Sequence, residues 1–246
     1  MKLTFLGTSH GVPAADRYCS CTLLESGDSL YLFDAGAPVI DCLLRNGYDI
    51  GKLRAAFLSH VHGDHSAGLF HTIDLMNWYY KQSAADFYIP EQPLIDAYRT
   101  MLRAIAVGEN DDTRIRMHLI DPAIAYEDEN IKVEYIPTKH MGDGHSTYAM
   151  LITEGDKRVL FSGDLSGRLK ENDVPAILSQ EALDLYVTEM AHYNLEALKP
   201  YLDTCRAKRV WFTHVFPLKK YEDIESIKSE YPFEICCPKD GDTLTL

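Results

Sequence analysis

Ser59-His60-Val61-His62-Gly63-Asp64-His65 follows directly on the apolar run 55–58, Ala-Ala-Phe-Leu. In an extended chain successive side chains alternate faces, so His60 and His62 fall on one side. Gly63 permits a sharp turn, after which Asp64 and His65 open the next helix. Four side chains of metal-ligand type thereby converge within the six residues 60–65. Imidazole nitrogen and carboxylate oxygen suit Zn²⁺, and also Mn²⁺ or Fe²⁺. A lone histidine is usually a satisfied polar residue, but a buried cluster of polar groups has to find partners. Three His and one Asp at these spacings are therefore read as a metal centre built where a strand ends.

Further donors stand in matching positions along the chain. Asp34 follows the apolar run 30–33, His140 follows 133–136, Asp164 follows 159–161 and His214 follows 210–212. Side chains at strand ends, and in the loops just beyond, can point into one shared site carried on a rigid sheet. Each alone reads as a cap or turn residue; together they complete the donor count for two divalent metal ions, with zinc ahead of manganese or iron. His145 is the rival of His140. His140 is preferred because it follows its strand, whereas His145 lies in the glycine-containing loop 141–146.

Short apolar runs separated by turn signals predict strands at 3–6, 21–24, 31–33, 55–58, 87–89, 131–136, 148–152, 158–161, 184–187 and 210–212. Helical patterns cover 37–46, 64–81, 92–106, 195–201 and 221–230. Strands mixed irregularly with helices imply sheets covered by helices, a layered α/β protein, and with no internal repeat one domain over 1–246 is the simplest account. The segment 70–119 differs from its surroundings, carrying two helical patterns, the aromatics Trp78, Tyr79 and Tyr80, and a polar stretch at 108–114. It is read as a helical insertion or lid, and its aromatics as core or as the interface of a homodimer rather than as a substrate wall.

Composition narrows the function classes. A chain of 246 residues, 46% hydrophobic, can bury one sizeable core. Lys+Arg number 24 against 37 Asp+Glu, a net charge of −13 that opposes non-specific nucleic-acid binding, which depends on Lys and Arg displacing counterions. No apolar run approaches the roughly 20 residues that span a bilayer, and the opening MKLTFLGTSHGVP is unlike a signal-peptide core. A cytoplasmic protein with no membrane partner is expected. The six cysteines, with Cys236 and Cys237 adjacent, are read as reduced thiols, and Cys19 and Cys21 as small buried hydrophobes rather than half of a zinc site.

HVHGDH at residues 60–65 matches, at every defined position, the HxHxDH signature of the metallo-β-lactamase-fold metallohydrolases. The resemblance runs from LGTSHGVP near the start to WFTHV near the end. It implies a four-layer αββα sandwich with the metals at one edge between the sheets. It further implies His60, His62 and His140 on one metal, Asp64, His65 and His214 on the other, Asp164 bridging, and Asp34 anchoring the signature loop from behind. Within that superfamily the opening MKLTFLGTSHGVP, the stretch LYLFDAG and the DFYIP…Y-x-x-M-L region look most like RNase Z and the related phosphodiesterases. That branch places a glutamate and a histidine beside the metals to assist the leaving group; the matching residues are Glu189, in VTEMAH, and His192, 22 residues before His214. Asp64 is counted as catalytic as well as a ligand. Two residues separate Glu189 from His192 where the branch has a longer insert, HMGDGHSTY replaces its usual HSxPxxGY-like run, and no Gly/Pro/Lys-rich arm resembling the tRNA-binding exosite follows the signature.

The implied activity is that of a dinuclear metal-dependent hydrolase, most simply a phosphodiesterase in which a hydroxide bridging the metals attacks phosphorus. A small phosphodiester is the expected substrate and a nucleic acid is disfavoured. His192 would protonate the leaving alkoxide, with Glu189 setting its tautomer. His10, His145 and Ser146 are read as substrate contacts from flanking loops. The alternatives are a lactonase or thioesterase with the same metals, tRNA 3′ processing of the RNase Z kind, and a metal-binding module without catalysis.

Overall fold

The computed structural model describes residues 1–246, apart from the side chains of residues 170–172. Its strands are β1 (Lys2–Gly7), β2 (Cys21–Ser26), β3 (Ser29–Phe33), β4 (Leu53–Phe57), β5 (Ala85–Ile89), β6 (Ile115–Leu119), β7 (Tyr126–Glu127), β8 (Lys132–Pro137), β9 (Tyr148–Glu154), β10 (Lys157–Phe161), β11 (Leu185–Met190), β12 (Arg209–Val215), β13 (Glu234–Cys236) and β14 (Thr243–Thr245). They form two seven-stranded sheets, ordered β14-β1-β2-β3-β4-β5-β6 and β13-β12-β11-β10-β9-β8-β7. The helices are α1 (Val39–Arg45), α2 (Gly63–Trp78), α3 (Gln92–Ala104), α4 (Ile177–Gln180), α5 (Leu195–Leu202) and α6 (Lys220–Ser226). No helix among the described residues is long and apolar enough to cross a membrane.

The period-2 alternation of the strands explains the four layers. In the first sheet Leu3, Phe5, Leu24, Tyr31, Phe33 and Phe57 share a buried cluster with Val133, Met150, Phe161, Val187 and Trp211 of the second sheet. Their immediate neighbours Leu6, Leu23, Leu32, Ala56 and Leu58 face the other way, into a cluster with Val39, Leu43, Leu69 and Leu102 of α1, α2 and α3. The second sheet likewise turns Leu151, Leu160, Tyr186 and Phe212 outward against Leu198, Leu202 and Ile224 of α5 and α6. Both sheets are therefore apolar on both faces, as sheets covered on both sides must be. Phe33 stacks on Phe161 across the sheets at 5.3 Å and 3°, and on Phe57 at 5.2 Å. Such pairs add about 0.5–1.5 kcal/mol beyond area burial.

Strand direction decides where polar residues gather. β3, β4, β5 and β6 run parallel, as do β10, β11, β12 and β13. Parallel strands put all their carboxyl ends at one sheet edge, where ligands of open α/β sheets bind. Asp34 follows β3, His60 follows β4, Asp164 follows β10, and Glu189 and His214 lie near the ends of β11 and β12. Each comes just after one of the inward aromatics or its neighbours, so a dry aromatic floor supports the polar rim.

The structure differs from the sequence expectation in places. The segment 70–119 supplies β5 and β6 to the first sheet, which makes it continuous with the sandwich rather than an appended insertion or lid. Trp78 (51% exposed) and Tyr79 (64% exposed) lie on the surface rather than in the core, while Tyr80 packs against it. β6, β7, β13 and β14 were not legible in the sequence. All four sit at sheet edges or next to them and are two to five residues long, and charged residues on an edge blunt unwanted pairing.

β6 is held through charge. Arg116 donates two hydrogen bonds to Asp86 of β5, at 2.7 and 2.6 Å, and His118 contacts the same carboxylate at 2.7 Å. Burial raises the Asp86 pKa, but His118 and Arg116 outweigh it and hold the carboxyl well below its ordinary range. A depressed folded value means stabilisation that is present above the unfolded value near 3.9 and lost as pH falls through the folded one. Asp86→Asn is expected to cost about 1.5–3 kcal/mol at pH 7, the scale of hydrogen bonds to a charged group. Urea unfolding at pH 7 and pH 3 should show the gap to wild type narrowing on acidification; a gap independent of pH would contradict this account.

Candidate metal centre

α2 begins at Gly63 without a side-chain cap, so Asp64 stands in its first turn, where the helix dipole favours an anion. The β4–α2 turn is packed against the β3 loop. A Cβ on Gly36 would sit 1.6 Å from the Asp64 carbonyl oxygen, so only glycine allows that approach. Asp34 (φ 57°) and His214 (φ 50°) both hold left-handed backbone conformations, each costing on the order of 1–2 kcal/mol for a non-glycine residue. Hydrogen bonds from the Asp34 amide to the Phe57 carbonyl and from the His214 amide to the Thr8 carbonyl, both 2.9 Å, oppose that strain. At His214 the register between β11 and β12 also shifts, pairing Thr188 with Phe212 but Met190 with Val215. A bulge of this kind re-aims a side chain.

Four groups of ligand atoms are drawn together within 4.8 Å among the described residues; two contain His192, and the other two are His60, His62 and His140, and Asp64, His65, Asp164 and His214. In the first, His62 Nδ1 lies 3.1 Å from His60 Nε2 and 3.3 Å from His140 Nε2. In the second, Asp64 Oδ2 lies 3.1 Å from His214 Nε2 and 3.6 Å from His65 Nε2. Asp164 stands between them. Its Oδ2 is 3.8 Å from both His60 Nε2 and His140 Nε2 and 3.7 Å from His214 Nε2, and its Oδ1 is 3.4 Å from His65 Nε2.

The far nitrogens are held by the shell behind. Asp34 Oδ1 accepts from the Ser59 amide at 2.7 Å, and its Oδ2 accepts from Ser59 Oγ at 3.0 Å and His65 Nδ1 at 2.7 Å. Ser59 Oγ is 3.0 Å from His60 Nδ1, and His140 Nδ1 donates to the Leu165 carbonyl at 3.1 Å. One buried carboxylate thus orients histidines of both groups, with Nδ1 as donor and the Nε2 lone pair turned inward. Ser59 is the residue that sequence reasoning passed over. It stood inside the motif, but a hydroxyl at a strand end carries no signal of its own.

Electrostatics suits cations. Burial, with His65 beside it, pushes the His60 pKa well below the ordinary histidine value, and burial lowers His140, so both offer neutral imidazole. Burial works against His65 as a cation too, but Asp164 and Asp34 overcome it and hold the pKa well above normal. Burial raises Asp64 and Asp164, and the surrounding histidines outweigh it in each, keeping both carboxylates ionised. His65 Nε2 and Asp164 Oδ1 are buried with no hydrogen-bond partner. Orphaned donor atoms facing one another, in a set of imidazoles and carboxylates, fit two divalent metal ions.

Other expected site residues divide. Glu189 is buried and its Oε1 is 2.9 Å from His192 Nδ1; burial lowers the His192 pKa, and the Glu189 carboxylate more than reverses this. The His192 ring centroid lies 4.5 Å from that of His140 and 5.6 Å from that of His214. His10 stands at the rim, 6.4 Å from His214 and 4.1 Å from Phe216 between ring centroids. His145 and Ser146 lie apart from both ligand groups: Glu91 binds the His145 ring at 2.9 Å and the Ser146 amide at 3.1 Å. Cys19 and Cys21 are free thiols outside every ligand group among the described residues.

A sandwich of two sheets between helices, with this motif at the carboxyl ends of its strands, defines a metallo-β-lactamase-fold protein. A family model described as "Anti-Pycsar protein Apyc1" matches residues 1–230, and the chain belongs to that family. Ribonuclease Z of Microcystis aeruginosa is 36% identical over 149 residues, 59% of this chain and 45% of that protein. Ribonuclease Z of Halalkalibacterium halodurans is 27% identical over 182 residues, 71% and 55% of the two chains. The chain thus spans about half the length of the curated relatives it matches. Among solved structures, the metallo-β-lactamase fold protein YhfI from Bacillus subtilis superposes with a TM-score of 0.79 at 22% identity, covering 99% of both chains. The short form of human tRNase Z (ELAC1) gives 0.74 at 20% identity, covering 100% and 99%. A diphosphatase from the PhnP family gives 0.70 at 20%, covering 100% and 97%.

Proposed function

We propose that the chain is a metal-dependent hydrolase of small phosphodiesters. Two divalent ions would be held by His60, His62, His140 and Asp164 on one side and by Asp64, His65, Asp164 and His214 on the other. The observation that carries this reading is Asp164, one buried carboxylate within 3.8 Å of histidines in both ligand groups. Bound there, the ions supply Lewis-acid stabilisation and bring water to ionise near neutral pH. The chain's own residues do the rest. Asp34 and Ser59 keep His65 and His60 in the ligating tautomer. His192, its Nδ1 bound to Glu189, keeps Nε2 for handing a proton to a departing alkoxide. His10 and the 46% exposed Phe216 offer an aromatic wall beside His214 for the organic part of the diester.

The Glu189–His192 pair supports a substrate that expels an alkoxide, which needs a proton donor, over a thioester, whose thiolate leaves without one. The relatives named ribonuclease Z support a second reading, tRNA processing; the net charge of −13 opposes it. The test is kcat/KM at one metal load for bis(p-nitrophenyl) phosphate, cyclic nucleotides, p-nitrophenyl phosphate, an acyl-homoserine lactone, a glutathione thioester and a pre-tRNA. The diesters are expected to lead by more than tenfold, about 1.4 kcal/mol in barrier. A lead of that size for lactone or thioester would move the assignment to the carbonyl branch, and for pre-tRNA to RNase Z.

A further inference from the structure

β11 ends at Met190 and α5 starts at Leu195, so the short turn between them presents His192. Glu189 gathers donors on that turn and beside it. Its carboxylate accepts from the amides of Ala191 at 2.6 Å and His192 at 3.0 Å, from the Leu165 amide at 3.0 Å and from the His192 ring. The Tyr193 hydroxyl donates to the Glu189 carbonyl and the Arg168 amide donates to the His192 carbonyl at 3.2 Å. The carbonyls of Met190, Ala191 and Tyr193 remain, and all three converge on one atom. Lys220 Nζ, from the first residue of α6, donates to them at 2.9, 3.1 and 2.6 Å.

An ammonium has three donors and no acceptor, so three carbonyls use it completely. Neutral side chains cannot replace it, since an amide nitrogen brings only two donors. Lys220 is in none of the groups of possible ligand atoms. The turn is therefore held between a carboxylate that binds its amides and an ammonium that binds its carbonyls. We propose that Lys220 is the positioning residue for His192, fixing the turn so that the ring, once bound to Glu189, is presented to the reacting diester. This rests on the reading of His192 as proton donor to the leaving group.

The test compares wild type, Lys220→Met, Lys220→Arg, His192→Ala and the double variant Lys220→Met/His192→Ala in the full chain. Lys220→Met should slow an alkoxide-leaving diester at least tenfold more than a p-nitrophenolate-leaving one, in kcat rather than KM, with metal content at the wild-type level and partial recovery in Lys220→Arg. In the double variant, Lys220→Met should add less than twofold to the effect of His192→Ala, since the two act as a unit. In the metal-free protein, the His192 ring resonances in long-range ¹H–¹⁵N spectra should shift or broaden in Lys220→Met and stay unchanged in Lys199→Met, where the lysine instead pairs with Glu230 at 3.2 Å. Equal slowing of both substrates, multiplying through in the double variant, with unmoved His192 resonances, would overturn the inference. Equal slowing by His192→Ala itself would instead overturn the proton-donor role, and the ring resonances would still decide whether Lys220 positions the side chain. Should Lys220→Met unfold early, Lys220→Gln, which keeps two donors, carries the same comparison.

Discussion

Asp164→Ala is expected to bind fewer than two metal ions and to lose roughly 10³-fold or more in kcat/KM, the several kcal/mol attributed to Lewis-acid stabilisation of developing charge. Asp164 is buried, 3% exposed, and stands within 3.8 Å of His60, His140, His65 and His214 together. Without it, five histidines face one another with Asp64 as the one carboxylate between them, Asp34 touching only the far nitrogen of His65. Removing one partner from a buried charged network costs more than the pair contributed, because the remaining groups keep their desolvation penalty. Metal content by mass spectrometry, measured on wild type and variant after the same reconstitution, checks this directly. A wild-type protein that holds no metal, or an Asp164→Ala variant that holds two and turns over normally, would remove the basis of the proposed function. Asp164→Asn keeps the shape and separates loss of charge from loss of packing.

His192→Ala is the second large effect, and its signature is selectivity. An alkoxide-leaving diester should slow by roughly 10²–10⁴, the usual contribution of general acid catalysis, and a p-nitrophenolate-leaving one much less, since that anion departs without a proton. Metal content should stay at the wild-type level. The structure makes the second measurement necessary, because His192 also lies within ligand range of His140 and Asp164, and of Glu189 and His214. The 2.9 Å bond from its Nδ1 to Glu189 leaves Nε2 available to either role, so metal content is what separates them. Loss of a metal in the variant would make His192 a ligand instead.

Strands such as β1, β2 and β11 were legible because each buries both faces, and a two-sided burial demand writes itself into a nearly continuous apolar run. The edge elements β6, β7, β13 and β14 write no such demand. β14 exists because β1 offers it a free edge more than 230 residues away, with Lys2 opposite Thr245. β6 exists because Arg116 and His118 find Asp86 on the neighbouring strand. The same contrast holds in the site. HVHGDH is visible because four donors in six residues have no bland explanation, and Asp34, Asp164 and His214 because each terminates an apolar run.

What the sequence by itself determined is therefore the layered fold class, the donor types and their strand-end positions, all of them consequences of short-range spacing. Tertiary structure alone decided which of these donors meet. It set Asp164 between two ligand groups, put His140 rather than His145 beside His60 and His62, and drew His145 to Glu91 instead. It also recruited Ser59 between Asp34 and His60, and Lys220 to three carbonyls about 30 residues away. The physical reason is that a hydrogen bond or a coordination sphere is satisfied by distance and direction in space. A hydroxyl or an ammonium looks the same in the sequence whether it faces water or closes a buried network.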